Sequence, residues 1–243
     1  MCRDMSKPLP SYVKPLGLLI GVYVLLFFAL AYRKYEVFGA DSGDYAFFDN
    51  MFWWTMRGRP FFCSEIGVTN FGMHAAYLWP LVVPAYWLVP GVPTLLFVQS
   101  LLLGAAGIPI YLIARDVVQE HGLSLILTAA FLLLPPFVSQ HVNQIEEPPL
   151  IAVFILFAFY FHARQRFGLF LLFASIACLG RENVPLAVVM FGIYSLVLRR
   201  GVKWVVAPVV MGLTWFWLAT FVLIPYFRQS HPWHVMKMFS YLG

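Results

Sequence analysis

Residues 74–90 read HAAYLWPLVVPAYWLVP, an apolar stretch interrupted by Pro80, Pro84 and Pro90 and carrying Tyr77, Trp79, Tyr86 and Trp87. Whether it crosses a membrane sets the sidedness of every segment after it. Around it the chain is apolar throughout: 61% of its 243 residues are hydrophobic, 18% are aromatic and only 11% are charged. A chain of that composition is a polytopic membrane protein. The apolar segments follow one another with no room for a soluble core, so residues 1–243 form a single all-α membrane domain.

A spanning helix needs about 20 apolar residues. The expected spans are 15–32, 92–114, 122–138, 148–162, 168–180, 184–198 and 203–225, about seven in all. If 74–90 also crossed, Arg115, Arg164, Arg166, Arg199, Arg200 and Lys203 would all lie outside. The positive-inside rule requires the reverse. The prolines and interfacial aromatics agree, and 74–90 is read as a re-entrant or interfacial element.

Arg3, Lys7 and Lys14 precede the first apolar run, which continues into Tyr32-Arg33-Lys34 with no small-residue cleavage site. It is read as a retained signal anchor with its N-terminus in the cytoplasm of a multi-pass cell-membrane protein. The long external loop then runs over about 33–91. Within it, residues 44–57 (DYAFFDNMFWWTMR) read as an interfacial helix, its aromatic side chains at headgroup depth and Asp44, Asp49 and Arg57 facing water. This topology collects Glu36, Asp41, Asp44, Asp49, Glu65, Glu146, Glu147 and Glu182 on one face. The other face keeps Asp4, Asp116 and Glu120 among basic residues.

The net charge of +5 is scattered beside apolar segments rather than gathered in a patch, which excludes nucleic acid as a partner. Cys2, Cys63 and Cys178 have neither metal-site nor disulfide spacing. Phosphate-loop, dinucleotide, HExxH and GxSxG patterns are absent.

Acidic side chains beside hydrocarbon are costly and mark functional sites. Asp41, Asp44 and Asp49 suit a general base or a metal anchor, and equally a helix cap with a solvated polar face. Glu146-Glu147 before Pro148-Pro149 suits cation binding or an ordinary helix start. Arg181-Glu182 suits phosphate recognition or an interfacial ion pair at a turn. His74 is a metal ligand, a proton carrier or a polar anchor. His231 and His234 form a weak HxxH pair in the tail.

The order of these features resembles the GT-C type of integral membrane glycosyltransferase, which includes protein O-mannosyltransferases and lipid A aminoarabinose transferases. More closely, it resembles an uncharacterised family of predicted bacterial and archaeal membrane proteins related to that group. The resemblance is carried by Asp44-Tyr45-Ala46-Phe47-Phe48-Asp49-Asn50 with Trp53 and Gly58-Arg59-Pro60-Phe61, and by Asn70 through His74 before Pro84-Ala85-Tyr86-Trp87-Leu88. Glu146-Glu147, Arg181-Glu182-Asn183 and the tail 239–243 complete it. Ala46, Met73 and the missing His before Glu146 depart from the family pattern. Family sequences are generally longer, which implies that this chain is a truncated form or an N-terminal part.

The resemblance implies transfer of a sugar from a polyprenyl-phosphate donor in the membrane lipid to an acceptor at the outer face. Asp44 would be the base, supported by Asp41 or Asp49. Arg181, Glu182 and His74 would bind substrate, and Glu146 and Glu147 would bind a divalent metal such as Mg or Mn, or the acceptor. The competing reading is a transporter or lipid-handling scaffold whose external acids bind a cation or a headgroup.

Overall fold

The computed structural model describes residues 12–39 and 42–228. Asp41, the His231/His234 pair and the tail 239–243 lie outside the described residues. The described chain is essentially all-α, as an apolar chain that must satisfy its own backbone requires.

Helix α1 (Val13–Glu36) has no Pro or Gly after Gly21, and its 24 residues reach about 36 Å. Leu16, Tyr23, Val24, Phe27 and Ala31 fall on one helical face and are buried, while Leu18, Leu25 and Leu30 point outward. Leu25 is 65% exposed and Trp217, far along the chain, 58%. A surface of bare Leu and Trp is the surface that lipid requires.

Helix α2 (Ser42–Thr55) follows, then a hairpin of β1 (Phe62–Cys63) and β2 (Val68–Thr69), paired Phe62 to Thr69 and Cys63 to Val68. Of the α2 aromatics expected at headgroup depth, Trp53 is exposed while Phe48 and Phe52 face the protein interior. Tyr45, Phe48, Met51 and Phe52 are buried in the main core, where the Phe48 and Phe52 rings meet Trp79. Asp49 is turned inward as well, accepting a 2.7 Å hydrogen bond from Tyr86 Oη.

The stretch 74–90 forms only a 3-10 turn at Trp79–Leu81 and the six-residue α3 (Val83–Leu88). Pro80 and Pro84 start these pieces, and Val89 is extended before Pro90, as a residue preceding proline tends to be. Neither piece is long enough to cross a membrane.

Then come α4 (Val92–Ala105) and α5 (Gly107–Val118), α6 (His121–Leu132) and α7 (Pro135–Asn143), α8 (Pro148–Ala163), α9 (Phe167–Cys178) and α10 (Val184–Val197). Helix α11 (Val202–Leu218) passes through a π-helical turn (Ala219–Leu223) into α12 (Ile224–Arg228).

By length and composition three described stretches can span: Val13–Glu36, Val92–Val118 and Val202–Arg228. The pair His121–Leu132 and Pro135–Asn143 makes a fourth only as a span broken by 52°. Pro135-Pro136 causes that break, because proline disfavours helix at the residue before it. The other three expected spans are α8, α9 and α10, with 16, 12 and 14 residues. At 1.5 Å per residue they reach about 18–24 Å, short of a hydrocarbon core of about 30 Å.

These short helices fix two ends of a bundle. Glu147, Arg181 and Glu182 sit where α8 begins and where the chain turns from α9 into α10. His162, Arg164 and Arg200 sit at the other end, where Arg200 Nη1 donates to the His162 carbonyl at 2.6 Å and Arg164 Nε lies 3.5 Å from Asp116.

Candidate functional site

A cavity of about 190 Å³ opens at the first of these ends. Asp44, Glu65, His74, Glu146, Glu147 and Arg181 line it. They come from α2, the hairpin turn, the 70–78 loop, the lead-in to α8 and the α9–α10 turn, five segments spread over 138 positions of sequence.

Each arrives for a local reason. Asp44 stands in the first turn of α2, where a carboxylate is favoured by the positive helix end. The hairpin turn is held to α2 by Asn50 Oδ1, which accepts from Ser64 N at 3.0 Å and Ser64 Oγ at 2.9 Å, and this brings Glu65 to the rim. The Asn70 carbonyl accepts from Met73 N and His74 N, curling Asn70–Gly72 into a 3-10 turn that presents His74. Gly72 lets that turn lie under α12: a Cβ there would stand 3.1 Å from the Arg228 backbone, and Arg228 Nε donates to the Gly72 carbonyl.

Gly180 does the same for the α9–α10 turn. A Cβ at Gly180 would fall 2.2 Å from Ile151 Cγ1, so only glycine allows the turn to rest on the first turn of α8. That contact puts Arg181 Nη1 3.6 Å from Glu147 Oε2. Glu147 is 4% exposed and makes no helix-capping bond; its charge is balanced by Arg181 instead.

Arg181 and Glu182 do not pair with each other. Arg181 Nη2 donates to His74 Nε2 at 3.3 Å, and Glu182 Oε1 lies 3.0 Å from His74 Nδ1. The partners assign the tautomer: arginine can only donate and a carboxylate can only accept, so the proton is on Nδ1. Glu182 Oε2 also accepts from Ala75 N at 3.1 Å. Burial raises the Glu182 pKa, but the His74 hydrogen bond, the electrostatic pull of that ring and the backbone N–H groups of Glu182 and Ala75 outweigh it. The carboxyl ends below its usual range.

The structure therefore brings Asp44, His74, Glu146, Glu147 and Arg181 around one space, with Glu182 immediately behind His74. Asp49 does not line it. Glu65 and Asn70 do, although neither was singled out as a site residue from the sequence. A two-residue strand leaves no periodic signal, so the hairpin that carries Glu65 was invisible. Asn70 could have been picked out only from its place in the 70–74 motif.

Among the described residues no three His, Cys, Asp or Glu side chains converge to hold a metal ion. Glu147 faces Arg181, and Glu146 lines the cavity beside it. Cys63 and Cys178 are free and buried, and burial, with Glu65 nearby, pushes the Cys63 thiol up to about 12. That thiol is inert at neutral pH.

A family profile described as "Predicted membrane protein (DUF2079)" matches residues 35–243. The chain belongs to the DUF2079 family. The matched range contains every cavity residue named above. No curated protein and no solved structure matches this DUF2079 chain.

Proposed function

We propose that this membrane protein is a glycosyltransferase of the GT-C type, using a polyprenyl-phosphate sugar donor at the extracytoplasmic face. The observation that carries the reading is the cavity itself, where an acid suited to act as a base and a cation suited to phosphate meet from distant segments. In the reaction, Asp44 takes the proton of the acceptor hydroxyl as its oxygen bonds to the anomeric carbon. The bond from that carbon to the phosphate oxygen breaks, and Arg181 stabilises the charge on the departing lipid phosphate. Arg181 has five N–H donors, and its described hydrogen bond to His74 uses one, leaving others for a ligand. Glu146 and Glu65, which line the same cavity, would hold the acceptor in this reading.

A lipid-borne donor is supported by an apolar groove of about 500 Å³ between α9 and α11, lined by Leu172, Ile176, Leu179, Val210, Met211 and Trp215 among others. Trp215 links groove and site: its Nε1 donates to the Cys178 carbonyl, and its ring lies against Tyr77, three residues from His74. The sidedness is supported by the charges, with the cavity acids at one end and Arg164, Arg166, Arg199, Arg200 and Lys203 at the other. Seven passages through the bilayer fit this arrangement if α8, α9 and α10 cross where the protein thins or shields the hydrocarbon.

One observation favours the transport reading. His141 is fully buried between Tyr23 Oη (3.2 Å) and Ser100 Oγ (2.6 Å), and polar networks among membrane helices mark ion or proton paths in transporters. Asp44→Asn separates the two. Sugar transfer from a lipid-linked donor is expected to fall below detection in this variant; unchanged transfer removes Asp44 as the base, and solute uptake with no glycosylated product favours transport.

A further inference from the structure

Asn70 is a cavity-wall residue, 1% exposed, and its side-chain amide nitrogen has no hydrogen-bond partner among the described residues. A buried donor left unpaired calls for an acceptor. The same wall carries the carboxylates of Asp44, Glu65, Glu146 and Glu147, which accept and never donate when ionised.

Ligand classes differ in how they meet this pairing. A metal ion or an ammonium group suits the carboxylates and offers nothing to an amide N–H. A phosphate suits the N–H and Arg181 but is repelled by the four acids that share the wall with Asn70. A neutral hydroxyl suits both, since it donates through its proton and accepts through its oxygen. We propose that Asn70 is a ligand-contacting residue, and that the part of the ligand seated in this cavity is an uncharged polyhydroxyl group. Its hydroxyls donate to the carboxylates, and one of its oxygens accepts from Asn70 Nδ2. Any phosphate then sits at Arg181, the one guanidinium on the cavity wall among the described residues, and the polyhydroxyl group sits against the acids and Asn70. This deepens the glycosyl-transfer reading and rests on it for naming the group a sugar.

The test uses the full chain in detergent micelles free of sugar headgroups, with methyl α-glucoside, methyl α-mannoside and methyl α-galactoside as probes and saturation-transfer NMR as the readout. At least one glycoside is expected to bind saturably, uncompeted by inorganic phosphate, Mg²⁺ or methylammonium. Asn70→Asp keeps the shape and exchanges the donor for an acceptor, and it is expected to weaken that binding by about tenfold or more. Where this variant does not fold, the wild-type chain labelled with ¹⁵N-asparagine decides: its Asn70 side-chain amide signal is expected to move on glycoside addition. Unaltered affinity in Asn70→Asp, an unmoved amide signal, no glycoside binding, or competition by phosphate or Mg²⁺ overturns the proposal. The two readings fail separately. Transfer lost in Asp44→Asn but untouched in Asn70→Asp sinks the role of Asn70 alone. Asn70-dependent glycoside binding by a protein that transfers no sugar sinks the enzyme alone.

Discussion

At the cavity end of the bundle His74 lies between a carboxylate and a guanidinium; at the other end, one length of α8 away, the His162 ring packs against aromatic rings and a serine hydroxyl. The His162 ring, 1% exposed, has its Nε2 2.7 Å from Ser195 Oγ and is surrounded by Phe170, Phe191 and Trp204. Two of the cations there rest on rings, Arg200 over Trp204 and Lys203 over Phe167, and Arg164 pairs with Asp116 at the exposed surface. At the cavity end charge answers charge across separate segments, around an open space. The lesson is that a buried histidine and nearby cations are not in themselves a site. At one end aromatic faces take up Arg200 and Lys203 and the ion pair of Arg164 with Asp116 is out in the open, while at the other the ionic groups are half-buried around a cavity.

The comparison can be broken most forcefully at Arg181. Arg181→Ala leaves the Glu147 carboxylate nearly buried without its cation, and a loss of about 2–4 kcal/mol is expected in thermal or denaturant unfolding. Adding Glu147→Gln should recover part of it; a double variant no more stable than Arg181→Ala would show that the pair is not coupled.

Next in size is the exchange of the two histidines for leucine. His162→Leu strands the Ser195 hydroxyl and should cost about 1–2 kcal/mol of stability while leaving transfer and ligand binding intact. His74→Leu should lower binding or transfer far more than it lowers the melting temperature. Equal effects on both readouts would erase the distinction between the ends.

The smallest effect is in acid. The folded pKa of Glu182 is lowered from the ordinary value of 4.5, so its contribution to stability is complete above that value and fades as pH falls through the lower folded pKa. The melting temperature should therefore decline below pH 4.5, and His74→Leu should flatten that part of the decline. An identical acid limb in both proteins would disconnect Glu182 from His74.

How much of this could be read beforehand varies with the kind of signal. The all-α membrane class follows from composition, and the company that Asp44, Glu146 and Glu147 keep at one cavity agrees with the charges counted between apolar segments. Helix positions were legible too, α8 being expected at 148–162 and found at Pro148–Ala163, but 122–138 was read as one span because Pro135-Pro136 is apolar enough to pass a hydropathy window although it breaks the helix by 52°. The partners of Arg181 were not legible at all. Adjacent Arg181 and Glu182 suggest a local pair, but which way each points depends on the absent Cβ at Gly180 and on the turn at Asn70–Gly72, both long-range contacts. Asp49 misled for a similar reason: nothing near it in sequence announces Tyr86.

The contacts running from Glu182 through His74 to Arg181 have a direction. Every N–H in that string points toward Glu182, since the guanidinium gives to the ring and the ring gives to the carboxylate. A side chain standing in for His74 must therefore be two-faced, receiving at one tip while giving at the other. Glutamine has that duality; leucine has neither half, and lysine only one. The imidazole thus works as a polarised coupling, by which a change of charge at Glu182 reaches the guanidinium facing the cavity.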